Sequence, residues 1–458
     1  MPLKSPSRRP HYLFIFWTLV FALSLSGIGC AAPQEELQPT APQEKLQPTI
    51  FKFSFGTETP SPGTVAIAPD TLYSSERGYG FEPGATLTAN NHSLSSSKPF
   101  LFSVALPEGN YNVALTVGNP DADSVTTVKA ESRRLMLQDV QTTHGQFTTR
   151  NFTVNIRNAR LKSGRRVGLK EREKNVFHWD DKLTLEFNGT NPSVSALEIT
   201  PAPDATTVYI AGDSTVTDQP HEPWAGWGQM LPAFFKSGVA VANYAESGET
   251  LRAFAGERRL EKIQDNLKKG DYLFIQFGHN DMKEKGEGVG AFTTYSESLR
   301  QYIAAARKND ATPVLVTPME RRRFGADGSP DPTLGDYPEA VRRIAKEENV
   351  PLIDLNIMST AFYRAMGPDN STKAFVHYAA NTFPGQTTAL KDNTHFNTYG
   401  AFQLAKSVVE GIKKNLPDLA IHLTDEAQKP YDPAKPDPVA EWHLPPSPDA
   451  EVQKPDGN

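Results

Sequence analysis

Val208-Tyr209-Ile210-Ala211-Gly212-Asp213-Ser214 is the stretch from which the fold can be read. Four apolar residues run into a glycine, an acid and a serine. A short apolar run closed by a glycine turn is the pattern of a buried strand. The same texture returns at residues 239–242, 272–277, 313–317 and 350–355. Between these runs lie stretches with helical spacing, at 224–236, 251–269, 292–308, 337–348 and 399–415. Strand and helix in alternation predict an α/β domain over residues 206–416. Its sheet is expected to be parallel and covered on both faces. Ligands of such sheets sit beyond the carboxyl ends of the strands.

Four segments fall at those ends. Ser214 follows the first run, Gly248 the second and Gly278-His279-Asn280-Asp281 the third, while Asp392-Asn393-Thr394-His395 precedes the last helix. Ester hydrolysis needs a nucleophile, a base, a group that orients the base, and donors for the oxyanion. Ser214 leaves a buried strand at a glycine turn, which exposes its hydroxyl; the plainer reading is a helix-capping serine. Asp392 and His395, three residues apart, let a carboxylate reach Nδ1 while Nε2 faces the serine; the plainer reading is a surface pair. The Ser214 and Gly248 amides and the Asn280 side chain are the expected oxyanion donors, although asparagine is also a common turn residue. His279 and Asp281 read as residues that hold the loop.

Together these segments resemble the serine, glycine, asparagine and histidine blocks of the SGNH (GDSL-type) hydrolases. The flanking strings narrow the resemblance. They are IAGDSTVTDQPHEPWAGWG (210–228), ANYAESGETLRAF (242–254), GDYLFIQFGHNDMKEKG (270–286), TPVLVTPMERRRFGADG (312–328), VPLIDLN (350–356) and DNTHFNTYGA (392–401). They look like the rhamnogalacturonan acetylesterase family of carbohydrate esterases, over most of residues 208–414. Gly78-Tyr79-Gly80-Phe81 and residues 177–187 are similar to the N-terminal domain of its bacterial members. The resemblance implies a three-layer α/β/α SGNH-hydrolase domain and removal of O-acetyl groups from pectic rhamnogalacturonan, with no metal and no cofactor. Carried over by position, it implies Ser214, Asp392 and His395 as the triad and Gly248 and Asn280 as oxyanion donors. Thr215 stands where general GDSL enzymes have leucine, and threonine there fits the narrower family.

Upstream, residues 50–201 read as β. Phe51, Phe53 and Phe55 alternate with Lys52 and Ser54, and residues 100–106 and 111–117 flank a turn at Pro107-Glu108-Gly109-Asn110. Short strands between turns predict a β-sandwich or jelly roll of galactose-binding-like type. Tyr73, Tyr79, Phe81 and Trp179 offer a sugar-stacking platform, though such aromatics are more often core.

Before this domain, residues 1–30 combine Lys4, Arg8 and Arg9, an apolar run at 12–25 and a small-residue zone ending in Cys30. This is the pattern of an export signal. Cys30 is the single cysteine, so no intramolecular disulfide forms, and its position resembles a lipoprotein box with Gly27 where a leucine is usual. The expectation is lipidation at Cys30 and a bacterial cell-surface or periplasmic location; an ordinary signal cut nearby would leave a secreted protein. Residues 31–49 hold a tandem repeat, PQEELQPT and PQEKLQPT, which reads as a spacer. Residues 417–458 form a Pro-rich tail, read either as disordered or as a strap on the catalytic domain.

The net charge of −6 over 458 residues argues against a nucleic-acid partner. Arg321, Arg322 and Arg323 follow the fourth strand, and Arg321 and Arg322 are candidates to meet galacturonate carboxylates, against the plainer reading of a solvated basic loop. Trp224 and Trp227 are candidates to stack on sugar, Trp224 first, or are structural. The expected partner is an acetylated pectic polysaccharide or oligosaccharide. Two other functions compete: an SGNH esterase on xylan or peptidoglycan, and a non-catalytic glycan-binding surface protein. No extended apolar lid lies near the catalytic loops, which argues against a lipase.

Overall fold

The computed structural model describes residues 50–84, 86–448 and 454–456. The expected export segment, Cys30 and the repeat-bearing spacer lie outside the described residues. Residues 48–458 group as one unit.

The β half is a sandwich of two five-stranded sheets with a small third sheet at its side. One sheet runs Phe147–Ile156, Gly109–Gly118, Ala196–Pro201, Phe51–Phe55, Val65–Ile67; the other runs Tyr79–Phe81, Phe100–Ala105, Lys182–Thr190, Ser124–Ala130, Arg134–Thr142. The alternation at Phe51–Phe55 puts Phe53 and Phe55 inside, where both meet Phe102 edge-on at 5.3 and 5.2 Å. The turn at 107–110 carries the chain from one sheet to the other, and the Tyr111 hydroxyl closes it by donating to the Pro107 carbonyl at 2.9 Å.

Four residues after the last sandwich strand the chain enters Thr206–Gly212, the first strand of a five-stranded parallel sheet. Its order is Val239–Asn243, Thr206–Gly212, Tyr272–Gln276, Thr312–Val316, Leu352–Ile353. The strand order reverses at Thr206–Gly212, so Ser214 leaves the sheet at its switch point, where doubly wound sheets open a crevice. Side chains of that strand alternate between two cores. Val208 and Ile210 pack with Trp227, Phe362 and Leu404, while Tyr209 and Ala211 pack with Phe254, Tyr302 and Val341. Both faces are therefore covered, and the fold is the α/β/α SGNH-hydrolase arrangement preceded by a β-sandwich.

The helices depart from the sequence reading in three places. The one expected over 224–236 is a short turn, Trp227–Met230, followed by a 3₁₀ segment Leu231–Phe234, since Pro220, Pro223 and Pro232 break up the run. The stretch 251–269 divides into Leu251–Gly256 and Arg259–Asn266 at Arg258, whose φ of 63° leaves the helical region. Leu355–Asn370, kinked at Gly367, starts where a strand was expected to end; Asp354 caps it by accepting from the Ile357 amide.

The tail is a strap. Trp442 packs on Phe402 at 4.5 Å, and Asp437 accepts from Lys406 Nζ at 2.7 Å and Gln403 Nε2 at 2.9 Å on the helix Thr398–Asn415. The chain then reaches the sandwich, where Lys129 Nζ donates to the Pro445 carbonyl at 2.7 Å and to Ser447 Oγ at 2.8 Å. Among the described residues no helix is long and apolar enough to cross a membrane.

Candidate active site

The turn that carries Ser214 is built on Gly212. A Cβ there would sit 2.8 Å from Val216 Cγ2, so only glycine lets the chain fold back so tightly. Ser214 follows, 2% exposed, and its carbonyl accepts from Gln219 Nε2 at 2.7 Å. Asp213 turns inward. Its Oδ1 accepts from the Thr215 amide (3.0 Å) and hydroxyl (2.7 Å), and its Oδ2 faces His279 Nδ1 at 3.2 Å. His279 Nε2 donates to the Met319 carbonyl at 3.0 Å. Both ring nitrogens thus face oxygen atoms of the protein, which holds the ring from two sides. Burial opposes ionisation of Asp213, but His279 and the Thr215 bonds outweigh it and lower its pKa.

Asp392 and His395 lie on Leu390–Phe396, a strand that pairs antiparallel with Phe375–Tyr378 just before the last long helix. Asp392 Oδ1 accepts from the amides of Thr394 (2.9 Å) and His395 (3.0 Å). Its Oδ2 accepts from His395 Nδ1 at 2.8 Å and, at 3.4 Å, from the Trp224 indole. The Ser214 hydroxyl donates to His395 Nε2 at 2.7 Å. Burial would raise the Asp392 pKa, yet the His395 bond and charge and the two amides hold the carboxyl well below the usual carboxylate range. It therefore stays ionised and can stabilise an imidazolium at His395.

Gly248 has φ +82°, a conformation that favours glycine. Asn280 Nδ2 donates to the carbonyl of the next residue, Glu249, at 3.0 Å, and Asn280 Oδ1 accepts from Lys283 Nζ at 3.2 Å. These bonds tie the glycine and asparagine loops together and fix the amide's orientation while using one of its two hydrogens. Asp281 accepts from the Leu251 amide at 3.0 Å, and burial pushes its carboxyl up to about 8, so near neutral pH it is largely protonated.

Beside His395 lies an open cavity of about 510 Å³ lined by Met282, Lys283, Lys285, Arg321 and Thr394. Arg321 is half-buried and donates to the His279 carbonyl at 3.0 Å, so it lies at the site. Arg322 is turned to the protein: it donates to Asn393 Oδ1 at 3.0 Å, Ser371 Oγ at 3.0 Å and the Pro368 carbonyl. That corrects its assignment to substrate. Trp224 is corrected too, for at 1% exposure its ring has no open face and it backs Asp392 instead. The four aromatics of the sandwich region do not form a platform. Phe81 and Trp179 are buried in two different cores, and Lys182 covers the Tyr73 ring at 4.8 Å. Sequence reading passed over Lys283 and Lys285, although two lysines directly after a GHND block were the available signal.

Among the described residues, one group has the donors of a metal site. Glu173, His178 and Glu246 bring ligand atoms within 4.8 Å of one another. Arg259 occupies both oxygens of Glu173, and Arg172 donates twice to Glu246 Oε1, at 2.9 and 2.7 Å. The guanidiniums take the positions and the charge a cation would need, so this is an ion-pair knot.

Residues 210–401 match the GDSL-like lipase/acylhydrolase family. The chain is 42% identical over 226 residues to rhamnogalacturonan acetylesterase RhgT of Bacillus subtilis (strain 168), covering 97% of that protein and 49% of this chain. It is 28% identical over 383 residues to the uncharacterized esterase YxiM of the same organism, covering 91% of that protein and 80% of this chain. The crystal structure of YxiM superposes with a TM-score of 0.44 at 27% identity, covering 80% of this chain and 98% of that one.

Proposed function

The chain belongs to the GDSL-like lipase/acylhydrolase family and is a carboxylic ester hydrolase; from that footing we propose that it removes O-acetyl groups from pectic rhamnogalacturonan by a Ser-His-Asp acyl-enzyme mechanism. The observation that carries the mechanism is the unbroken line from Ser214 Oγ to His395 Nε2 at 2.7 Å and from Nδ1 to Asp392 Oδ2 at 2.8 Å.

In this mechanism Ser214 Oγ attacks the acetyl carbonyl carbon as His395 takes its proton. The carbonyl electron pair moves to oxygen, where the amides of Ser214, Gly248 and Asn280 receive it. Collapse of the intermediate breaks the bond to the sugar oxygen, which leaves with the proton from His395. Water then attacks the acetyl-serine with His395 again as base, and collapse breaks the bond between Oγ and the acyl carbon, with His395 returning the proton to Ser214 as acetate departs. No step needs a metal or cofactor.

The choice of substrate is supported by the relative named for rhamnogalacturonan and by Arg321, Lys283 and Lys285 around the open cavity. Cations there suit a chain bearing uronate carboxylates. The proposal extends to export, with Cys30 as a lipid anchor, on the residue pattern of 1–30; unchanged membrane partitioning of Cys30→Ser would count against the anchor.

The test is acetate release by wild type and Ser214→Ala from pectic rhamnogalacturonan, acetylated xylan and peptidoglycan. Release from the pectic substrate only by wild type is expected. Release only from xylan or peptidoglycan moves the enzyme to another glycan. No release from any of them, nor from a small aryl acetate, leaves the glycan-binding reading.

A further inference from the structure

Between the nucleophile and the helix that begins at Trp227, residues 219–224 form a loop that touches both ends of the triad. Gln219 Nε2 donates to the Ser214 carbonyl at 2.7 Å. At the other end the Trp224 indole donates to Asp392 Oδ2 at 3.4 Å, and the Ala225 amide donates to the Phe396 carbonyl at 2.9 Å, next to His395. The residue that spans this loop comes from the other half of the chain.

Arg133 lies in the turn between the sandwich strands Ser124–Ala130 and Arg134–Thr142. Its guanidinium is buried. Nη1 donates to the carbonyls of Gln219 and Trp224, each at 3.0 Å, and Nη2 pairs with Glu222 at 2.5 Å. One planar cation thus holds the first residue, the last residue and a side chain of the loop, a grip that a guanidinium fork makes and an ammonium does not. The same turn contributes the Ser132 carbonyl, which accepts from Gln229 Nε2 at 2.9 Å; Gln229 also donates to the Gln219 carbonyl at 2.9 Å. Its neighbour Arg134 faces Asp218 with Nε 2.9 Å from Oδ2.

The turn's backbone points the same way. Glu131 and Arg133 have φ of 56° and 63°, left-handed values that side chains other than glycine and asparagine seldom adopt. Such geometry persists where the surroundings fix it, and it clusters at functional sites. Here the fixing contacts run both to the sandwich, where the Glu131 amide donates to the Thr184 carbonyl at 2.8 Å, and through Arg133 and Ser132 across to the loop and Gln229.

We propose that Arg133 is a positioning residue of the esterase, through which the β-sandwich holds loop 219–224 and with it the spacing of Ser214 and Asp392. The inference rests on the triad reading above, and Ser214→Ala serves as its control.

The test uses the full chain and a small aryl acetate, which needs no glycan contact with the sandwich. Arg133→Ala, Arg133→Lys, Trp224→Phe and the Arg133→Ala/Trp224→Phe double variant are compared by kcat and KM per folded molecule. Arg133→Ala and Trp224→Phe are each expected to lower kcat about tenfold with KM little moved, and the double variant to lose no more than the worse single, as coupled residues do. Arg133→Lys is expected to recover part of the loss. A kcat unchanged in Arg133→Ala, with only the melting temperature lowered, overturns the proposal, as do losses that multiply in the double variant. Should Arg133→Ala not fold, the cycle is run with Arg133→Lys and Trp224→Phe. Full activity in Ser214→Ala would instead sink the triad reading itself.

Discussion

Asp213 and His279 face each other at 3.2 Å across the ends of two neighbouring strands, one residue before Ser214, the proposed nucleophile, and one before Asn280, the proposed oxyanion donor. The pair therefore locks two catalytic loops with one buried contact. Asp213→Asn removes the carboxylate that faces the His279 ring and accepts twice from Thr215, a change expected to cost about 1.5–3 kcal/mol. The sign with pH follows from the lowered Asp213 pKa. The stabilisation is whole above the ordinary value of 3.8 and is lost as pH falls through the lower folded value. Denaturant melts should show a large gap between wild type and Asp213→Asn at pH about 7, narrowing in strong acid.

The proposed triad is expected to act as a unit. Ser214→Ala and His395→Ala are each expected to lower kcat by roughly three orders of magnitude or more, and the double variant little further. Asp392→Asn should also lower kcat by orders of magnitude, because it leaves His395 without its ionised partner. Aryl acetate turnover with a matched melting curve for each variant checks this. Losses that multiplied in the Ser214/His395 double variant would contradict a shared role.

Asn280→Ala removes one proposed oxyanion donor. The expected cost is about 10²- to 10³-fold in kcat with KM nearly constant, since the donor acts on charge that develops in the transition state. A change confined to KM would place Asn280 in ground-state binding instead.

Three buried carboxyls set the alkaline side of stability. Burial, only partly offset by Arg134, raises Glu131 to about 8. Burial raises Asp281 to about 8 as well, and burial with the neighbouring Glu173 charge raises Glu246 to about 7. The folded state therefore holds more protons than the unfolded state above the ordinary carboxylate range. Stability is full below that range and falls as pH rises through about 7 to 8. Melting temperature should decline from pH about 5 to about 8, and Glu131→Gln should flatten the decline.

Charge at the open cavity should act on charged substrate. Lys285→Glu is expected to raise KM for an acidic acetylated oligosaccharide about tenfold more than for a neutral aryl acetate at low salt, and the ratio should shrink as salt screens the site. An equal effect on both esters would remove Lys285 from substrate attraction.

The strands and the four loops were legible because a buried parallel strand is a bare apolar run, and Val208 to Ala211 announces itself without any partner. What stayed hidden depended on distant partners. Residues 350–355 end in Asp354-Leu355, which reads as a strand end until the Asp354 carboxylate is seen capping the next helix. Trp224 beside a catalytic serine looks like a sugar platform, and only Asp392, far along the chain, makes it a buried donor. Arg133 carries no local signal at all, because the carbonyls it binds belong to another strand system.

The strap has a further consequence. Lys129 and Glu186 form a buried ion pair at 3.1 Å within the sandwich, and both are capped by the tail, Lys129 through Pro445 and Ser447, Glu186 through the Ser447 hydroxyl at 2.6 Å. Severing the strap would strip these caps from two desolvated charges inside the sandwich. The catalytic half is therefore a poor cassette for grafting: a fusion that carried residues 206–416 alone would leave behind both the arginine that grips its loop and the clasp that keeps that arginine's own sheet in order.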